Sequence, residues 1–261
     1  MKIYIATHKV VDLPVLSEVY EPLLVGSFNK DIHKYLRDDC GENISAKNPN
    51  YCELTGIYWI WKNVKEDIVG LCHYRRFLSK SLFSKSSAHF ISEDDLEKDM
   101  VKGGIDIILP QKHYFTDQII SEKSTAPNME DMKVVRGVIN DLYPEYIAEY
   151  DHFVSGCSAY LYNVVVAKKP IFDAYCQWLF DILFETEKRM NPDTYIHDSY
   201  RKRMFGFISE RLFNVWIMHN QNVYRIKEYQ LVNTDRNLTN TIKDYSVQRI
   251  RRKKGVDGGN E

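Results

Sequence analysis

A chain of 261 residues that is 44% hydrophobic can bury a large core, and 35 basic against 36 acidic residues leave a formal charge of −1. That balance excludes the basic footprint of a nucleic-acid-binding domain, so any anion site must be local. Five cysteines without a CxxC pair argue against a disulfide framework or a zinc site and fit a reducing cytoplasm.

The N-terminus does not read as a signal peptide, and no stretch reaches the ~18 apolar residues of a membrane span. Residues 1–242 read as one domain and 243–261 as a basic, flexible tail.

Lys2 to Ala6 is short and β-rich and predicts a first strand, with Thr7, His8 and Lys9 leaving its end. A second strand is expected over Pro22 to Val25. A polar loop from Asp31 to Asn50 follows, with Asn48-Pro49-Asn50 as its closing turn and Asn50 as a helix cap. Glu53 to Val64 reads as a helix, with Leu54, Ile57, Tyr58 and Trp61 on one stripe.

Ile68 to Cys72 predicts the third strand, and it ends in His73-Tyr74-Arg75-Arg76. Strand ends of open α/β sheets are where ligands bind, and two guanidinium forks suit a diphosphate. Ordinary solvated charges at a strand end are the plainer reading.

Ser92-Glu93-Asp94-Asp95 reads as a capping box opening a helix that stops at Gly103-Gly104, before a strand over Ile105 to Leu109. Gln111 to Met129 lacks periodicity and is a candidate mobile loop over the site. Helices are expected over Glu130 to Leu142 and Pro144 to Tyr150, and a strand over Tyr160 to Ala167. Long helices should begin at Lys168 and at Gly206, and a last strand near Val223 to Val232. Strands alternating with helices predict an α/β fold.

Glu210 sits on a helix that is apolar nearly all round, so it must be paired, hydrogen-bonded or protonated. It is either a general base with a raised pKa or the partner of Arg211, Arg203 or Arg201. Glu53, Asp151 and Asp198 are further carboxylates, each as readily a cap or a surface charge. No Asp-X-Asp triplet of the kind that holds a metal on a nucleotide-sugar diphosphate occurs, and fixed arginines could take its place, so no divalent metal or other cofactor is expected. Dinucleotide, Walker, HExxH and Gly-x-Ser-x-Gly motifs are also missing. The basic run Gln248 to Lys254 could touch anionic lipid or remain a solvated end.

Five blocks in order, KIYIATHK, GENISAKNPNYCELTGIYWIWKN, VGLCHYRRF, AKKPIFDAYCQWLFDILF and FGFISERLFNVW, carry a resemblance. The chain resembles, almost end to end, bacterial capsular and exopolysaccharide biosynthesis proteins long filed as a domain of unknown function. Members look like metal-independent glycosyltransferases of a GT-A-like, Rossmann-like fold, with a mainly parallel sheet, flanking helices and C-terminal helical additions. At least one branch is associated with inverting transfer of galactofuranose from UDP-galactofuranose.

The resemblance implies transfer from a UDP-sugar to a lipid-linked or growing glycan at the cytoplasmic face of the membrane. It implies Thr7, His8 and Lys9 near the nucleotide, His73, Tyr74, Arg75 and Arg76 at the diphosphate, and Glu210, Glu53 or Asp151 as base. Tyr200 and Arg203 would line the same cleft. The family's Asn-Met-Phe-Ile-Met strand stands here as Asn163 to Ala167, keeping the asparagine. A non-catalytic sugar-nucleotide-binding subunit and a phosphate-ester hydrolase are the alternatives.

Overall fold

The computed structural model describes residues 1–119, 127–190, 198 and 200–257, with side chains through 253. The order is β1 (Lys2–Thr7), β2 (Tyr20–Leu24), β3 (Leu36–Arg37), α1 (Asn48–Tyr51), α2 (Leu54–Asn63), β4 (Ile68–His73) and β5 (Arg76–Ser79). Then come α3 (Glu93–Leu96), β6 (Ile107–Pro110), β7 (His113–Tyr114), α4 (Met129–Leu142), α5 (Ile147–Ser155) and β8 (Ser158–Ala159). The chain continues through β9 (Val165–Lys168), α6 (Lys169–Arg189), α7 (Met204–Asn220), β10 (Ile226–Asn233) and α8 (Leu238–Asp257).

Eight strands form one sheet, while β7 and β8 pair apart from it. Among the described residues β1–β2, β1–β4, β2–β3 and β6–β10 are parallel, whereas β4–β5, β4–β9, β5–β10 and β6–β9 are antiparallel. The sheet is therefore evenly mixed rather than mainly parallel, because β5 and β9 run back against their neighbours.

The edge of β4 opposite β1 forks. Ile68 to Leu71 pair with β9, but His73 pairs with Arg76 of β5. The expected loop after β4 is thus a two-residue hairpin, Tyr74-Arg75, and the cleft described below opens where β5 and β9 part.

Period-2 alternation sends Tyr4 and Ala6 to one face and Ile3 and Ile5 to the other. The first face is covered by the apolar sides of α2 and α4 to α7, where Phe172, Leu179, Phe180, Ile208 and Leu212 are buried. On the second, Phe77 stacks on Phe90 at 4.6 Å and Leu96 and Met100 close the layer.

Several expectations shift for local reasons. The Asn48-Pro49-Asn50 turn is a helical turn of its own, set off from α2 by Cys52 at φ 52°, and Asn50 donates to the Lys202 carbonyl instead of capping α2. The capping box at Ser92 is present, but α3 is four residues long and continues as a π-helical turn over Glu97–Lys102.

The strand expected from Tyr160 starts only at Val165, since Tyr162 and Asn163 take left-handed backbone at φ 72° and 50°. In the expected loop after Gln111, β7 pairs with β8, and residues 120–126 lie outside the described residues. The basic C-terminal run lies on a helix, α8, into which the expected boundary at residue 242 falls; residues 258–261 lie outside the described residues.

Gly70 lies mid-strand in β4, between Ile3 of β1 and Val166 of β9. A Cβ there would lie 2.7 Å from the Val165 carbonyl oxygen and from a Val166 methyl. Gly70→Ala is expected to destabilise the fold by about 1–3 kcal/mol, through overpacking against backbone that cannot retreat. Urea unfolding of the variant checks this, and an unchanged midpoint would count against it.

Candidate active site

The parallel strands β1 and β4 end side by side, with Ala6 opposite His73, and a cleft of about 550 Å³ opens beyond them. Thr7 and His8 come from the end of β1, and His73 to Arg76 from the hairpin. Cys52 and Glu53 stand at the start of α2, Arg203 and Glu210 come from the α7 segment, and Tyr162 from the loop before β9.

Each group is held by local bonding. Thr7 Oγ1 donates to the Lys9 carbonyl at 2.6 Å, folding the β1 exit over, and the Tyr74 N–H donates to the Ala6 carbonyl at 3.3 Å. Across β2, the buried Asp38 carboxylate accepts from the backbone N–H groups of Gly26 and Ser27 and from both the Ser27 and Ser45 hydroxyls. Gly26 itself is at φ +58° with the Asn48 side chain where a Cβ would sit, so glycine is required there.

The floor is a carboxylate pair. Asn163 Nδ2 donates to Glu53 Oε1 at 2.9 Å and to Ser209 Oγ at 3.0 Å, fixing Glu53 against α7. His73 Nε2 lies 2.9 Å from the Tyr162 carbonyl and 3.9 Å from Glu53 Oε1. A carbonyl only accepts, so Nε2 carries the proton. Burial, aided by Arg76, lowers the His73 pKa against the pull of Glu53, leaving a neutral imidazole at neutral pH.

Glu210 is pushed up to about 7, first by burial and then by the like charge of Glu53, against Arg211 and Arg76. Arg211 stands 3.7 Å from it, so Glu210 is both an ion-pair partner and a cleft carboxylate. A cleft carboxyl raised toward neutrality in this way is suited to proton transfer.

Above the floor the cleft is cationic. The Arg76 guanidinium lies 4.0 Å from the Tyr162 ring centre, Arg75 covers Tyr74 at 5.0 Å, and Arg203 lies against Phe207 and Cys52. The pKa of His8 is lowered by burial and then by Lys9, Lys30, Arg75 and Arg203, four cations that converge on this side of the cleft. Among the described residues no three His, Cys, Asp or Glu side chains gather as a metal site.

Of the residues singled out in the sequence, Thr7, His8, Glu53, His73, Tyr74, Arg75, Arg76, Arg203 and Glu210 line this one cleft. Lys9 borders it through the Tyr74 ring, and Asn163 lies behind Glu53. Tyr200 is exposed; its ring lies against Phe207 and its carbonyl accepts from the Arg203 N–H at 3.2 Å, so it borders the cleft from outside.

Asp151 does not join the cleft: it lines a different cavity on α5, paired with Arg136 at 2.7 Å, and that hydrogen bond holds its carboxyl below the usual range. Asp198 accepts from the N–H groups of Tyr200 and Arg201 as a turn cap. The sequence reading missed Tyr162, whose left-handed backbone no local residue pattern announces, and Cys52, whose thiol burial pushes up to about 11.

A search of curated protein sequences gives no match. Among solved structures, that of WbbM, a bifunctional glycosyltransferase in its apo form, is similar at a TM-score of 0.80 and 32% identity. The match covers 90% of this chain but 45% of that one, so this chain spans less than half of that protein's length. With residues 2–221 matched by the family described as domain of unknown function DUF4422, the chain belongs to that family.

Proposed function

We propose that this protein is a glycosyltransferase that moves a sugar from a UDP-sugar, with UDP-galactofuranose the first donor to try, to a hydroxyl of a growing or lipid-linked glycan. The observation that carries this is the convergence of Arg75, Arg76 and Arg203 with the Glu53–Glu210 pair in one cleft. The likeness to a bifunctional glycosyltransferase supports the reaction class.

In this reading the diphosphate lies against Arg75, Arg76 and Arg203, with Lys9 adding charge, so that fixed cations stabilise the leaving group in place of a metal. Thr7 and His8 flank the nucleotide. Glu210 takes the proton of the acceptor hydroxyl, whose oxygen bonds to the anomeric carbon as the bond from that carbon to the diphosphate oxygen breaks. The product is the glycoside with inverted configuration, and UDP departs. Glu53 does not touch the acceptor in this scheme; its charge keeps Glu210 basic enough to work near neutral pH. Work at the cytoplasmic face, with basic residues of α8 against anionic lipid, belongs to the same proposal.

Calorimetric titration with UDP should show Arg75→Ala and Arg76→Ala each losing affinity by about tenfold or more. UDP release from a UDP-sugar panel should stop in both variants and continue in EDTA. Full turnover in the variants would sink the diphosphate assignment, and inhibition by chelator would sink metal independence.

Glu210→Gln should lower kcat by about 10²–10⁴-fold. The wild-type rate should rise with pH through about 7 as the carboxylate forms. Stability runs the other way. The unfolded chain releases this proton near 4.5 and the folded chain near 7, so the contribution of Glu210 is greatest below 4.5 and is lost as pH rises to 7. Glu210→Gln, which carries no buried charge, should therefore melt above the wild type at pH 8, and a lower melting point there would contradict the assignment.

A further inference from the structure

A second cavity of about 190 Å³ lies on the far side of Arg76 and Tyr162. Those two residues line both cavities, and the 4.0 Å contact between guanidinium and ring is their common wall. Leu161, also on this wall, immediately precedes the left-handed turn, while Lys112 comes from the β6–β7 connection and His113 from the start of β7.

Leu82 lines it from the loop after β5, and opposite stand β10, Arg236 of the β10–α8 turn, and Thr241, Asp244 and Tyr245 of α8. The β10 and α8 residues and Arg236 lie beyond residue 221, outside the stretch shared with the family.

The helix is clasped over the cavity by Gln248. Its side-chain amide accepts from the Tyr114 N–H at 2.6 Å and donates to the Tyr114 carbonyl at 3.2 Å, pairing with β7 as a strand would. Arg251 donates to the same carbonyl, Arg236 pairs with Asp244 along the wall, and Tyr245 meets Phe83 edge to face at 5.5 Å.

Resting on the transferase reading above, we infer that this second cavity is the acceptor subsite, holding one sugar ring of the acceptor glycan beside the donor cleft. Its volume falls below the ~300–1,000 Å³ of sites that enclose drug-sized ligands, as suits a single ring. Tyr162 and Tyr245 offer flat aromatic faces for the C–H face of a sugar, and Asp244, Thr241 and Arg236 offer acceptors and donors for its hydroxyls. An acceptor entering from this side meets the donor across Tyr162, a residue that lines both cavities. Because β10, α8 and the turn between them supply half of the lining, acceptor choice depends in part on a segment outside the stretch shared with the family.

The experiment uses the full chain and two variants that fill the cavity from different elements, Thr241→Trp on α8 and Leu82→Trp in the loop after β5. Octyl β-glucoside, octyl β-galactoside, octyl α-mannoside and octyl β-N-acetylglucosaminide are titrated by saturation-transfer NMR, and UDP by calorimetry. At least one glycoside should bind the wild type and lose affinity by about tenfold or more in both variants, while UDP affinity stays within about twofold. If no glycoside binds the wild type, or if binding survives in both variants, the subsite assignment is overturned. If glycosides behave as expected but UDP does not bind the wild type, the donor reading fails and the sugar site stands.

Discussion

The geometry of the cleft depends on the peptide units around Tyr162 and Asn163, which hold left-handed backbone at φ 72° and 50°. Each such residue costs about 1–2 kcal/mol when it carries a side chain, so the surroundings must over-determine the turn. They do. Asn214 grips the chain just before the turn from α7, accepting from the Tyr160 N–H at 2.7 Å and donating to its carbonyl at 2.9 Å. Asn163 is then pinned between Glu53 and Ser209, and the Tyr162 carbonyl receives His73. One strained turn therefore sets a histidine, the Glu53 carboxylate and the ring beneath Arg76.

The strand fork is the larger-scale cause of that turn. Because β9 leaves β4 at Leu71 and β5 takes over at His73, the chain before β9 must swing away from the sheet just where β5 begins. The gap could have been filled by apolar side chains, as it is deeper in the sheet. Instead it receives Glu53, Glu210 and Arg76, groups whose desolvation is tolerable only with partners or with proton uptake. The raised Glu210 pKa is the signature of that compromise.

What the sequence made legible follows from period and punctuation. The alternation of Lys2–Thr7, the stripe of Leu54, Ile57, Tyr58 and Trp61 and the capping box at Ser92 obey local rules, and the elements stand close to where those rules put them. Thr7, His73, Arg76 and Glu210 could be picked out because polar groups at strand ends, or on an all-apolar helix, contradict their settings.

Other features were hidden for equally physical reasons. A tyrosine at φ 72° violates its own preference and is held by α7, far later in the chain, so no local window reveals it. The apolar run before β9 looked like a longer strand because burial, not extension, makes it apolar. Asp151 could not be told from a floor carboxylate until Arg136 was seen beside it, and the antiparallel direction of β9 depends on crossovers that composition does not encode.

The arginine-rich rim also acts at a distance. Arg75, Arg76 and Arg203, with Lys9 beside them, stand against Glu53, against Asp235, which pairs with Arg75 at 3.2 Å, and against Glu210, which keeps its proton up to about 7, so the cleft carries net positive charge in a protein whose overall formal charge is −1. Field lines from such a recess reach into solvent for about a Debye length, roughly 8 Å at physiological ionic strength. An anion diffusing past the otherwise near-neutral surface is drawn toward this one opening before it makes any contact, so the encounter rate, as well as the affinity, is written into the same three guanidinium groups.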